Sequence, residues 1–253
     1  EKQALANFNV ENYPEAIRKA EWLLRYDRAR GLNKETGGHY EEVVGMVALF
    51  YGTAFEKRLA GYSLEHAMEY FKKLEGGQVF GKISHEFIMV MRSKEMQAET
   101  LQWKDLALAR APKSFGTLWI LVDVYDAIIG WKDYARFNNI YKDFDGFFDG
   151  NPGAIAKAHE EEWFKKFKKT LLEYADKIYA TLPKKDANEN DYKVVQTPYL
   201  LTLNTYMRIT DPRDDLKARV RFRIGEFYAN VKDWDRAQAA FTDVYQAKLF
   251  FVK

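Results

Sequence analysis

The sequence has no cysteine among its 253 residues. Disulfide bonds, thiolate nucleophiles and cysteine-ligated zinc are therefore excluded. Proline and glycine are scarce, at 6 and 15 residues, and they do not recur with the frequent turn signals of a β-sandwich. The longest nearly uncharged apolar run, residues 115–129, is too short for a membrane span and contains Asp123 and Asp126. We expect no transmembrane helix.

The charges are almost balanced, with 39 basic and 37 acidic side chains and a net charge of +2. Such a small excess gives no long-range field for nucleic acid, so we expect no nucleic-acid partner. The sequence begins with Glu1 rather than Met, which is compatible with a removed leader or membrane anchor, a further domain or a trimmed chain. Together with the missing cysteine, this favours a periplasmic or outer-membrane-associated protein, such as a lipoprotein, over a cytoplasmic one.

Aromatic side chains are abundant: 18 Phe, 16 Tyr and 6 Trp make up 16% of the chain. Most of them fit the role of large wedges that fill gaps between helices. The alternative is an aromatic surface that stacks on sugars or bases, or that lines a ligand cavity.

Apolar residues recur at three- and four-residue steps, as in the run Tyr13, Ala16, Ala20 and Leu24, and this spacing predicts amphipathic helices. About twelve helices are predicted, near 1–9, 14–28, 40–60, 63–75, 83–96, 98–110, 116–129, 132–148, 152–181, 197–209, 213–230 and 233–248. Two polar segments, near 29–39 and 183–196, interrupt this rhythm as insertions. Since we find no clear linker, we predict one all-α domain over residues 1–253.

Four of these segments begin with an aromatic residue after a short polar turn, and each follows another amphipathic segment: Tyr13, Tyr62, Tyr134 and Trp234. This arrangement is typical of repeated helix-turn-helix units. One hairpin cannot bury both of its apolar faces, so neighbouring units must cover one another. We therefore predict that Trp234 and Phe241 are buried.

The last unit resembles a tetratricopeptide repeat. The residues that match the motif are Ile224, Gly225, Tyr228, Trp234, Ala237 and Phe241, whereas Leu249 stands where the family usually has proline. The first unit matches only in its second helix, where the segment from Asn12 to Ile17 is similar to repeats of bacterial outer-membrane assembly lipoproteins. The middle units are degenerate: Phe137 replaces the expected alanine, and aromatic spacings of 49, 72 and 100 residues depart from a period of about 34. The resemblance implies an α-solenoid of antiparallel helical hairpins.

Catalytic and metal-binding patterns are weak. His39, His66, His85 and His159 are widely separated and lack the spacing of a metal site. Two acidic segments, Asp143 to Asn151 and Asp186 to Thr197, show only part of a calcium-binding pattern, and their alternative role is a helix end or a solvated turn. We expect no enzyme activity, catalytic residue, metal or cofactor.

The resemblance also implies a binding site on the first helix of the last unit. In members of the family that clamp peptides, basic groups at the positions of Arg219 and Arg223 face the groove, and Phe222, Glu226 and Asn230 occupy other groove-facing positions. Two guanidinium groups would suit a carboxylate or acidic segment of a partner. The alternative is a solvated basic face that pairs with Asp214, Asp215 or Glu226.

The predicted function is a non-catalytic scaffold that docks a peptide or protein partner, as one subunit of a larger assembly such as one in the bacterial envelope. The alternative function is a periplasmic solute-binding or transport-accessory protein whose aromatic residues line a cavity.

Overall fold

The described helices follow the predicted map closely. The computed structural model describes residues 1–31, 39–75, 80–183, 187–211 and 214–248. Every regular element in these ranges is helical, with α1 Lys2–Asn9, α2 Tyr13–Ala29, α3 Tyr40–Glu56, α4 Leu64–Leu74, α5 Lys82–Ser93, α6 Gln97–Arg110, α7 Phe115–Trp131, a 3₁₀ turn Tyr134–Arg136, α8 Phe137–Gly150, α9 Pro152–Ala158, α10 Glu162–Tyr179, α11 Glu189–Ile209, α12 Asp215–Asn230 and α13 Trp234–Lys248. The all-α prediction is confirmed for these residues. None of these helices is both long and apolar enough to span a membrane.

Two predicted boundaries are wrong. The single helix predicted over 152–181 is two helices: α9 ends at Ala158, and the extended backbone of Glu161 forms the N-cap of α10. Three successive carboxylates, at 160–162, lie at this break, where the N-terminal end of α10 favours negative charge.

The insertion predicted near 183–196 is shorter than expected, because α11 already begins at Glu189. Asn188 caps it: its side chain accepts hydrogen bonds from the backbone N–H groups of Asn190 and Asp191, and the Asp191 carboxylate accepts from the backbone of Asn188. Pro198 lies inside α11, although its ring removes one helical hydrogen bond. The insertion predicted near 29–39 lies mostly outside the described residues.

The chain divides into two compact units, residues 1–124 and 125–253. In the first unit, the core is an aromatic cluster in which Tyr51, Phe71, Phe87 and Trp103 contact one another edge-on at ring-centroid distances of 5.2 to 6.1 Å. All four side chains are at most 1% exposed. Here the aromatic residues fill space between helices, as most of them were expected to do.

The second unit has a comparable core. The ring of Tyr125 meets Phe137, Phe144 and Phe167 edge-on at 5.5 to 5.6 Å, and Phe137 stacks on Tyr174 at 5.8 Å. Burial raises the pKa of the Tyr125 hydroxyl to about 12, while a hydrogen bond with Thr205 opposes the shift. The Phe137 side chain, which departs from the repeat pattern, is thus fully buried.

One turn recurs five times in the described residues. It places a residue other than glycine in the left-handed region, at Glu11, Arg58, Glu95, Lys132 and Lys232. At Lys232, for example, its N–H donates to the Ala229 carbonyl at 3.0 Å and the next N–H, of Asp233, donates to the Tyr228 carbonyl at 2.9 Å. This pair of bonds is a Schellman motif, which ends one helix and directs the chain back along it. In three cases an aromatic residue follows two positions later: Tyr13, Tyr134 and Trp234.

Candidate functional site

The five residues predicted to bind a partner lie on one face of α12. Their spacing of three, four, seven and eleven residues places them in one line along the helix, which we call the α12 face: Arg219, Phe222, Arg223, Glu226 and Asn230. Four of them are exposed and Arg223 is partly buried. The local fold is set by Asp214, whose side chain accepts a hydrogen bond from the N–H of Leu216 and so caps the helix.

Arg223 is held by two neighbouring helices. Its Nη2 donates to Asp176 Oδ1 of α10 at 2.5 Å, and its guanidinium carbon lies 5.8 Å from the ring centroid of Tyr199 on α11. Burial alone would lower the pKa of Arg223, but the Tyr199 hydroxyl and the Asp176 carboxylate raise it above the ordinary value. The guanidinium group is therefore charged and fixed in direction. Its ion-pair partner is Asp176 rather than Asp214 or Glu226.

Arg219, one turn away, makes no ion pair with any residue that the structure describes, and its side chain is exposed. The α12 face thus carries one fixed guanidinium group and one that is open to solvent.

Tyr199, which contacts Arg223, belongs to a group of three tyrosines from α10 and α11. The Tyr179 ring is 39% exposed and contacts Tyr192 and Tyr199 at centroid distances of 6.3 and 5.6 Å. Partial burial and a hydrogen bond with Tyr192 raise the pKa of the Tyr179 hydroxyl to about 12. This hydroxyl is therefore neutral at physiological pH and can donate a hydrogen bond. The group adds an aromatic wall to the α12 face.

The sequence reasoning missed these tyrosines. Tyr192 fell in the predicted loop over 183–196, although it lies seven residues before Tyr199 and so shares one face of a helix with it. That seven-residue spacing was the available signal. The third tyrosine, Tyr179, comes from another helix, and its position beside them depends on helix packing.

A second exposed aromatic surface lies on the last hairpin. Trp234 is 64% exposed and Tyr245 is 72% exposed, so the prediction that Trp234 is buried is wrong. Trp234 lies on the same face of α13 as Phe241, which is partly buried and contacts Phe222 of α12 at a ring-centroid distance of 5.4 Å. A groove of about 500 Å³ runs along this face, lined by Ala229, Trp234, Ala237, Gln238, Phe241, Thr242 and Tyr245.

A third surface is a groove of about 360 Å³ between α11, α12 and α13, on the side of α12 opposite the α12 face. It is lined by Arg221, Arg236, Asp243 and uncharged residues of the three helices. Neither groove contains Arg219, Arg223, Glu226 or Asn230.

The histidines take part in packing and in local hydrogen bonds. The Tyr51 hydroxyl lies 3.0 Å from the Ser63 carbonyl, which only accepts, and 2.8 Å from His66 Nδ1. The hydroxyl therefore donates to Ser63 and accepts from His66 Nδ1–H. His85 Nδ1 lies 2.7 Å from Asp123 Oδ2.

The segments with partial calcium-binding patterns have other roles. The segment from Asp143 to Asp149 lies within α8, and both Asp145 and Asp149 form ion pairs with Arg208. In the second segment Asn188 caps α11, while Asp186 lies outside the described residues. No group of three or more potential metal ligands is present within the described ranges.

No protein-family model matches this chain, and no curated protein or solved structure matches it. Its function must be inferred from its own residues. Among the surfaces described above, the α12 face combines fixed charge, exposed charge and exposed aromatic rings.

Proposed function

We propose that the chain is a non-catalytic interaction module whose α12 face binds a peptide or protein partner. In this proposal, the helical hairpins belong to a tetratricopeptide-like α-solenoid. The observation that carries it is the exposed line from Arg219 to Asn230 beside Tyr179, with the guanidinium group of Arg223 fixed at its centre.

The chemistry of the face suggests the class of partner. Arg219 offers charge-assisted hydrogen bonds to a carboxylate, and Phe222 and Tyr179 offer exposed rings for an apolar or aromatic side chain. Glu226 and Asn230 add one negative charge and one amide, which orient the bound partner but contribute little to its affinity. An extended segment with an acidic residue next to an apolar one fits this arrangement.

The recurrent turns support the proposed repeat architecture. The same Schellman motif precedes Tyr13, Tyr134 and Trp234, which are three of the four aromatic residues that define the repeat pattern in the sequence. In the last hairpin, a Cβ at Gly225 would lie 2.6 Å from the Phe241 ring, so a residue without a side chain is required where these two helices approach.

The partner can be tested by capture from an extract of the source organism, followed by titration of the purified partner. We expect Arg219→Glu to weaken binding about tenfold or more, because it reverses a charge on the proposed contact. Arg110→Glu is the matched control, because Arg110 is also an exposed arginine near the end of a helix. Equal affinity of the two variants would refute the α12 face as the binding site.

We also propose that the assembly belongs to the bacterial envelope and that the chain is periplasmic or associated with the outer membrane. This part of the proposal rests on the absence of cysteine and on the segment from Asn12 to Ile17, which is similar to repeats of bacterial outer-membrane assembly lipoproteins. Fractionation of source cells tests it directly. Recovery of the chain with cytoplasmic markers would contradict it.

A further inference from the structure

Helix α2 exposes aromatic and basic side chains on the side that faces away from the core. On its inner side, Tyr13, Ala16 and Leu24 are at most 3% exposed. The opposite side carries an exposed row, which we call the α2 stripe, at spacings of four, seven, eight and twelve residues: Arg18, Trp22, Arg25, Tyr26 and Arg30. The solvent side of an amphipathic helix is normally polar, so a tryptophan that is 61% exposed there calls for an explanation.

The two aromatic rings of the α2 stripe form one surface. Trp22 and Tyr26 stack at a ring-centroid distance of 5.3 Å with an interplanar angle of 24°. One turn further along, Arg30 donates a hydrogen bond to the Tyr26 hydroxyl, and its guanidinium carbon lies 5.2 Å from the centre of that ring. Tryptophan and tyrosine each combine an apolar ring with one polar group, which suits a boundary between water and an apolar phase.

The basic groups of the α2 stripe project further into solvent than the carboxylates that pair with them. Arg18 pairs with Glu15 at 2.6 Å, and their side chains are 67% and 29% exposed. Arg25 pairs with Glu21 at 3.3 Å, and their side chains are 76% and 18% exposed. Burial raises the pKa of the Tyr70 hydroxyl of α4, and the nearby Glu21 carboxylate raises it further, which places this carboxylate on the inner side of α2. An approaching surface therefore meets guanidinium groups first.

We propose that the α2 stripe binds the surface of an anionic lipid membrane, with the helix axis parallel to that surface. The stripe extends about 18 Å from Arg18 to Arg30. Trp22 and Tyr26 then lie at the level of the lipid headgroups, where these residue types are enriched in membrane proteins. The three guanidinium groups donate charge-assisted hydrogen bonds to lipid phosphate oxygens. A helix bound in this way lies on the membrane and does not span it.

The stacking of the rings favours a lipid surface over nucleic acid. Proteins bind single-stranded nucleic acid by stacking bases on free aromatic faces. The Tyr26 ring already has Trp22 stacked on it and Arg30 over it, so within this pair only the outer face of Trp22 is open to a base. A lipid surface instead takes up the exposed edges of the two rings.

The shape of the α2 stripe favours a lipid surface over a folded protein. Its side chains project from a single helix, and none of them lines either groove described above. A stable protein interface buries about 800 Å² of complementary surface on each partner. Mobile lipid headgroups need no such complementarity, because they rearrange around a projecting row of side chains.

Co-sedimentation of the 253-residue chain with lipid vesicles tests the proposal. We expect the chain to bind vesicles of phosphatidylglycerol mixed with phosphatidylcholine, which carry net negative charge. Binding to phosphatidylcholine alone should be about tenfold weaker or more, because the guanidinium groups then have no net charge to meet. Raising the salt concentration should weaken binding to the anionic vesicles, since salt screens the attraction.

Substitutions in the α2 stripe should weaken vesicle binding without unfolding the chain. We expect Arg25→Gln to weaken it about fivefold, the usual contribution of one basic residue at an anionic surface. Trp22→Ala should weaken it severalfold, because it removes an exposed ring from the headgroup region. Both residues are exposed, so circular dichroism and thermal melting should match the wild type.

Arg110→Gln and Trp234→Ala are the matched controls, because Arg110 is an exposed arginine of α6 and Trp234 is 64% exposed on α13. Both variants should bind vesicles as the wild type does. Arg219→Glu, which tests the α12 face, should also leave vesicle binding unchanged. The proposed function and this inference can therefore fail independently.

Three results would overturn the proposal. A wild-type chain that stays in the supernatant with anionic vesicles, or binds neutral vesicles equally well, would exclude an anionic lipid surface as the partner. Equal losses for Trp22→Ala and Trp234→Ala would place the contact outside the α2 stripe. Binding of a single-stranded oligouridylate that depends on Trp22, without vesicle binding, would assign the stripe to nucleic acid.

Discussion

The first and last helical hairpins use the same turn but bury their aromatic residues to opposite extents. In α1–α2 the left-handed residue is Glu11 and the aromatic residue is Tyr13, and in α12–α13 they are Lys232 and Trp234. Tyr13 is 3% exposed, whereas Trp234 is 64% exposed. The backbone turn is a local property of the chain, while burial depends on what packs against the hairpin.

The neighbours of Tyr13 explain the difference. The ring of Phe8 meets it edge-on at 5.7 Å, and Lys57 Nζ, from the residue that caps α3, lies 5.5 Å from the centre of its ring. Helix α2 packs against both α1 and α3, whereas α13 packs chiefly against α12. The aromatic residue that follows the turn is thus buried in α2, which packs against two helices, and exposed in α13, which packs chiefly against one helix among the described residues.

The largest expected effect is at Tyr13. We expect Tyr13→Ala to lower the free energy of unfolding by about 3–5 kcal/mol, because it removes a buried aromatic ring and leaves a cavity. Trp234→Ala should change it by less than about 0.5 kcal/mol, since an exposed surface substitution removes little packing. Urea unfolding measures both. Equal losses would contradict the difference in burial.

A smaller effect tests how closely the last hairpin is packed. Gly225→Ala places a Cβ 2.6 Å from the Phe241 ring, which must move. We expect it to destabilise the chain by about 1–3 kcal/mol, the usual cost of overpacking. Combining it with Phe241→Leu should recover part of the loss, and thermal unfolding measures both variants.

The control for Gly225→Ala is Gly146→Ala within α8, where no atom lies within 4 Å of the new Cβ. There alanine should stabilise the helix by about 0.5–1 kcal/mol, because glycine loses more backbone entropy on folding. If both substitutions stabilised the chain, α12 and α13 would be less closely packed than the structure shows.

Helix positions could be predicted because they depend on local periodicity. The run through Tyr13, Ala16 and Ala20 predicted a helix, and all three side chains are buried in α2. The polar run over 183–196 led to a predicted loop, whereas α11 already begins at Glu189 and contains Pro198. Pro198 is the tenth residue of α11 and has no N–H to donate to the carbonyl of Val194. Because Val194 is 81% exposed, this carbonyl lies near solvent, and the proline is tolerated.

The candidate site was predictable only in part, because it depends on contacts between distant segments. The resemblance to a repeat placed Arg219 and Arg223 on one helix face; in the structure Arg219 is exposed and Arg223 is partly buried. It could not supply Asp176, which lies 47 residues before Arg223 and pairs with it. Side chains that meet across helices are determined by packing angles, and no periodicity in one segment encodes them. The solenoid and the single domain stay predictions.

The smallest effect would show whether the two turns are equivalent. Glu11→Gly and Lys232→Gly each relieve a left-handed conformation that costs a residue with a side chain about 1 kcal/mol or more. Each also removes one exposed ion pair: Glu11 pairs with Lys57 at 2.6 Å, and Lys232 pairs with Glu189 at 3.2 Å. In addition, the new glycine loses more backbone entropy on folding than the residue it replaces. These contributions are alike at both ends, so the two substitutions should shift the free energy of unfolding in the same direction and by amounts within about 0.5 kcal/mol of each other. Urea unfolding in high salt, which screens both ion pairs, gives the cleaner measurement. Shifts of opposite sign would mean that the two turns carry different backbone strain although they share the same hydrogen bonds.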